Sequence, residues 1–114
     1  HVFTENRIRL APPHDHQHTI GYYSKGSADH FEQAVQAALN ARRLWSELPW
    51  EHRAGIFLKA ADLISVKYRY ALNAATMLGQ SKNAYQAEID SACELIDFFR
   101  FNAHYMTQIY QQQP

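Results

Sequence analysis

The sequence predicts a mostly α fold with a short β region at its N-terminal end. Two observations carry that prediction. β-prone pieces and the Pro12–Pro13 pair dominate only the first 26 positions, and from Ser27 onward apolar residues recur in steps of three and four. A third observation bounds the size: 114 residues with 46% apolar and 13% aromatic side chains supply one modest core, as a small domain or as part of a larger one.

Taken in order, HVFTENRIRLAPPHDHQHTIGYY reads as two extended segments, Val2 to Leu10 and Thr19 to Tyr23, joined by a polar loop that turns at Pro12 and Pro13. Two such strands bury too little alone, so they are expected to pair with or lie against structure outside this chain. Ser27 caps a first helix with Asp29 in its first turn. Its face comprises Phe31, Ala34, Val35, Ala38, Leu39, Arg42 and Trp45, and it ends near Ser46. A second helix runs from Pro49, suited to a first turn, to Ser65, with Phe57, Ala60, Ala61 and Ile64 as its stripe. A third covers Tyr68 to Leu78, presenting Ala71, Leu72, Ala75 and Leu78, with Gly79 suited to a C-terminal cap. The fourth begins at Asn83, whose partner Gln86 makes a capping-box variant. It carries Tyr85, Ile89, Ala92, Ile96, Phe99, Ala103, Met106 and Tyr110 on one face, widened by Cys93, Leu95 and Phe98. A rod of about 28 residues would run roughly 40 Å, so its far end is expected to pack against something else. Pro114 opposes continuation of that helix and is read as opening a connection, as His1 is read as a cut edge.

Charge and cysteine content exclude several function classes. Eleven basic residues balance eleven acidic ones, and no basic cluster supplies the field that nucleic acid or an anionic membrane would need. No apolar run is long enough for a membrane span, and no signal peptide is visible. Cys93 has no partner in the chain, which excludes an internal disulfide and fits a reducing compartment.

Candidate chemistry is sparse. His14, His16 and His18 would share one side of an extended strand with Asp15 nearby. Three imidazoles on one short loop lack a distant fourth ligand, so a polar surface loop or interface is the preferred reading and no metal site is assigned. Cys93 lies mid-helix beside the apolar row, away from any helix start that would activate a thiol, and reads as a buried structural cysteine. Glu88, Asp90, Glu94 and Asp97 read as a solvated acidic face. Glu94 is the least ordinary of them, because Cys93, Leu95 and Ile96 flank it; Arg100 is a plausible nearby cation. Gly21, Gly26, Gly55 and Gly79 are isolated and form no phosphate cradle.

Two blocks go further than periodicity. LPWEHRAGIFLKAADLIS and, after it, MLGQSKNAYQAEIDSACELIDFFRFN closely resemble the N-terminal region of the delta-1-pyrroline-5-carboxylate dehydrogenases of the aldehyde dehydrogenase superfamily, and APPHDHQHTIGYY resembles their early strand region. The resemblance implies that residues 1–114 are an incomplete N-terminal part of an α/β NAD-binding domain, with extended segments and a loop over 1–26 and a helical layer over 27–114. It implies an enzyme of proline breakdown that oxidises L-glutamate gamma-semialdehyde to glutamate with NAD. In this family a cysteine attacks the aldehyde, the thiohemiacetal passes hydride to the nicotinamide, and water hydrolyses the thioester. The residues for these steps lie downstream in the family, so no catalytic, cofactor-binding or metal residue is assigned here, NAD is expected to be bound elsewhere, and the segment alone is expected to be inactive. Cys93 does not match the family nucleophile. Glu94 matches a family glutamate that reaches toward the substrate tunnel, the alternative being a buried acid that anchors two parts of the domain, and Phe98 and Phe99 are expected to fix the helix against the body. The resemblance further implies a homodimer or larger assembly, in the bacterial cytoplasm by preference or the mitochondrial matrix of a eukaryote. A stand-alone helical interaction module is the alternative; cooperative unfolding of the isolated chain would favour it.

Overall fold

The computed structural model describes residues 2–113, so the readings placed on His1 and Pro114 lie outside the described residues. The chain divides into two compact units, His1–Pro49 and Trp50–Pro114.

In the first unit, β1 (Arg7–Leu10) and β2 (Gly21–Ser24) pair antiparallel with Ile8 opposite Tyr23 and Arg9 opposite Tyr22. The two strands thus satisfy each other's facing edges, and their outer edges stay open within the described residues. β1 is also shorter than its apolar pattern, because the Arg7 N–H turns back to the Glu5 carbonyl at 3.0 Å. Pro12 is fully buried in the connecting loop. Asp15 organises the rest: its carboxylate accepts from the Gln17 N–H at 3.0 Å and its carbonyl from the His18 N–H at 3.2 Å. The helix α1 (Ala28–Glu47) starts where Ser27 predicts. The Ser27 hydroxyl accepts from the His30 N–H, and the His30 ring Nδ1 accepts from the Ser27 N–H at 3.1 Å, so a histidine completes the capping box. Leu48 is extended, as a residue preceding proline must be, and α1 stops there. No residue of α1 is buried, and Phe31 is 71% exposed. The predicted stripe is present but is uncovered within these residues.

In the second unit, α2 (Trp50–Leu63) and α3 (Arg69–Gln80) are not separated by a break between Ser65 and Tyr68, as the sequence pattern suggested. A wide π-helical turn, Ile64–Tyr68, joins them. Gly79 lies inside α3; the left-handed position falls on Ser81, at φ 56°. The short α4 (Ala84–Ala87) opens on the expected box, with the Gln86 N–H donating to Asn83 Oδ1 at 2.9 Å and the Asn83 N–H to Gln86 Oε1 at 3.0 Å. A second wide turn, Glu88–Cys93, then leads into α5 (Glu94–Gln112).

That turn breaks the single long stripe. The buried row runs Ala87, then five residues to Ala92, then four to Ile96. Tyr85 and Ile89, on the stripe by strict periodicity, are exposed at 84% and 58%. α5 packs antiparallel on α2: Trp50 stacks on Tyr110 at 5.6 Å, Phe57 meets Phe99 at 5.8 Å, and Asp62 pairs with Arg100 at 3.6 Å. The end of α5 thus packs on the start of α2. Ala54, Ala61, Ala87 and Ala92 are buried, and their small side chains let the backbones approach closely.

Candidate functional site

A polar cluster of the second unit sits where its two wide turns meet; of its members the sequence singled out Cys93, as a buried structural cysteine, and Glu88, as one of a row of solvated acids, but not Arg69 or Asn73. Arg69, directly after the first turn, donates through Nη2 to Glu88 Oε1, at the start of the second. Asn73, one α-helical turn further on, donates through Nδ2 to Glu88 Oε2 at 2.5 Å. The same Arg69 nitrogen lies 3.6 Å from Cys93 Sγ, and the thiol donates to Glu88 Oε1 at 3.6 Å. Asn73 is the buried polar residue of this unit, while the Arg69 and Glu88 side chains stay 30% and 35% accessible.

The electrostatics follow from the geometry. The hydrogen bond from Arg69, then that from Asn73, hold the Glu88 carboxyl below the usual carboxylate range. The bond to Glu88 likewise raises Arg69 further above its ordinary value. Both partners are charged at neutral pH and both carboxylate oxygens are engaged. The cluster is built to hold structure and not to exchange a proton with a substrate.

Glu94 is the first residue of α5 and is exposed. Its flanking apolar residues do not enclose it, because Ile96 faces the core and Glu94 does not. Arg100 is engaged by Asp62 and Asp90 by Lys82 at 2.6 Å, so the acids do not act as one group. Cys93 is half-buried among polar groups, not sealed in an apolar row. Phe99 meets Phe57 as expected, whereas Phe98 is 58% exposed and packs on no ring within the described residues. His14, His16 and His18 are exposed; the Arg9 guanidinium binds the carbonyls of His16 and His18 at 2.8 and 3.5 Å. The described residues contain no group of three potential metal donors. No described helix is long and apolar enough to cross a membrane.

Two signals for the missed cluster were present in the sequence. Ala87 and Ala92 stand five apart where the surrounding row steps by three and four, and Asn73 interrupts an alanine-rich helical face.

The model of the aldehyde dehydrogenase family matches residues 3–114. The chain is 54% identical over 113 residues to the delta-1-pyrroline-5-carboxylate dehydrogenase of Agaricus bisporus, covering 99% of this chain and 21% of that protein. It is 47% identical over 113 residues to the mitochondrial delta-1-pyrroline-5-carboxylate dehydrogenase of Homo sapiens, covering 99% of this chain and 20% of that protein. The crystal structure of the Mycobacterium tuberculosis delta-pyrroline-5-carboxylate dehydrogenase bound with NAD and cobalamin superposes on all of this chain and 22% of its own, with a TM-score of 0.94 and 46% identity. The chain spans about a fifth of the length of the curated relatives it matches.

Proposed function

The chain belongs to the aldehyde dehydrogenase family, and on that premise we propose that the complete protein oxidises L-glutamate gamma-semialdehyde to L-glutamate with NAD, the second oxidative step of proline breakdown. The observation that carries the reading is the identity of about half the residues to relatives bearing that name, over nearly the whole chain. It supports the enzyme reading over that of a stand-alone interaction module.

In this proposal residues 1–114 form the N-terminal part of the NAD-binding domain, and the nucleophile lies in the remainder. The glycines present do not form a cradle for the cofactor's phosphates. A Cβ on Gly21, Gly55 or Gly79 would meet nothing within 4 Å, and one on Gly26 only His30 Cβ at 3.7 Å, so none is a point of close backbone approach. NAD, which supplies the hydride acceptor, is therefore assigned to parts outside this segment. The uncovered row on α1, with Leu39 54% and Trp45 42% exposed, is the surface the remainder would cover.

Glu94 is proposed as the residue of this chain that faces the substrate tunnel. Its exposure leaves the carboxylate available to the aldehyde-bearing substrate, where it tunes access and local charge without covalent chemistry. The assembly is proposed as a homodimer or larger. The compartment follows the source: the cytoplasm in a bacterium, the mitochondrial matrix in a eukaryote, the latter supported by relatives whose names carry the word mitochondrial.

The test is NADH formation by the full-length protein supplied with the semialdehyde in equilibrium with its cyclic form. Turnover that requires NAD, its absence in the isolated 114-residue chain, and a shifted KM in Glu94→Ala are expected. A folded full-length protein that leaves this aldehyde unoxidised would overturn the reading.

A further inference from the structure

The wide turn Glu88–Cys93 determines which way Glu94 points. Its closing hydrogen bond runs from the Glu94 N–H to the Ile89 carbonyl, five residues back, so Glu94 is registered by the turn itself. Relative to an uninterrupted α-helix, the extra residue in the turn changes the angular phase of everything after it by about 100°.

Such a turn is rare, and side chains can stabilise it. Here the support is specific to the wide form. Residues five apart on an α-helix stand about 140° apart around its axis. Glu88 and Cys93 are five apart, yet their side chains are 3.6 Å from each other and both reach Arg69 Nη2. One guanidinium thus touches the first and last residues of the turn, a geometry that an α-helical Glu88–Cys93 segment would lose. Asn73 secures the second carboxylate oxygen from α3.

We propose that Arg69, Asn73 and Glu88 form a positioning device that locks the Glu88–Cys93 turn and thereby aims Glu94 at the substrate. The proposal rests on the tunnel reading of Glu94. The three residues are positioning residues: they act through the register of α5, and none need touch the substrate.

The test is steady-state kinetics of the full-length protein with L-glutamate gamma-semialdehyde, for wild type, Glu88→Gln, Glu94→Ala and the double variant. Glu88→Gln keeps the shape and removes the charge. It is expected to raise KM roughly fivefold to tenfold while kcat stays within about twofold, the mark of misplaced binding without lost chemistry. In the Glu94→Ala background the same change is expected to have no further effect on KM, because its target is gone. An unchanged KM in Glu88→Gln, or an equal rise in both backgrounds, would overturn the device. If Glu88→Gln does not accumulate as folded protein, Asn73→Ala, which leaves the ion pair, is expected to give a smaller rise with the same dependence on Glu94, and a rise independent of Glu94 would overturn the proposal. A Glu94→Ala variant with the wild-type KM would instead overturn the tunnel reading, and the device with it, so the two failures are told apart.

Discussion

Two isoleucines seven residues apart report on the wide turn. Ile89 and Ile96 lie on one face of any continuous α-helix, and identical truncations should then cost alike. In the structure they differ: Ile96 is 5% exposed and Ile89 58%. Ile96→Ala removes three buried carbons, which at roughly 0.8 kcal/mol each gives about 2.4 kcal/mol from transfer alone. The cavity left beside Ala92 and α2 raises the expected loss to about 3 kcal/mol, inside the usual range of about 2–5 for such truncations. Ile89→Ala forfeits little burial and gains slightly in helix propensity, so its effect should lie within about 0.5 kcal/mol of zero. Urea unfolding of the full-length protein, followed by helical circular dichroism, reads both variants against wild type at constant m-value. Equal losses for the two variants would refute the phase change and, with it, the placement of α4 relative to α5.

Three further outcomes follow from the same structure. Because Arg69 and Asn73 lower the Glu88 pKa, the cluster's contribution to stability is fully present above the ordinary carboxylate range and is lost as pH falls through the lowered value; Glu88→Gln should flatten that acid limb in pH-dependent unfolding. Ser27→Ala should destabilise α1 by about 1 kcal/mol, since the hydroxyl that receives the His30 N–H is removed, and amide exchange at the start of α1 would report it. Ala61→Leu, at a site with no accessible surface, should cost about 1–3 kcal/mol by forcing α2 from its neighbours, read as a lowered thermal midpoint.

The parts of the fold legible in the sequence are those set by local chemistry. Ser27 and Asn83 start their helices because a side-chain oxygen there meets a backbone N–H three residues on, a relation contained within four residues. The antiparallel order of α2 and α5 was not legible. It depends on Trp50 meeting Tyr110 and Phe57 meeting Phe99, pairings between residues tens of positions apart that each helix's own periodicity leaves open. Gly79 misled for a related reason: glycine permits a left-handed cap without requiring one, and α3 runs on to Gln80 so that Ser81 adopts it.

The site was harder to read because its key residues break the rules used to find them. Periodicity assumes a constant turn, and a wide turn shifts its phase while leaving the seven-residue spacing of Ile89 and Ile96 intact. Glu94 stood out by its apolar neighbours in sequence, but neighbours on a helix point in different directions, and Ile96 faces inward while Glu94 stays exposed. Glu88 looked like one more solvated acid, and it is the acid that Arg69 and Asn73 hold. Its role comes from α3, which the acidic run itself does not contain. A five-residue step in an otherwise regular apolar row, with an acid at the start of that step and an arginine and asparagine four apart on a preceding helix, is the pattern that would have exposed the cluster. Each part alone is ordinary. Together they describe a wide turn with the partners needed to hold it open, and that turn fixes the direction of the one acid the family resemblance selects.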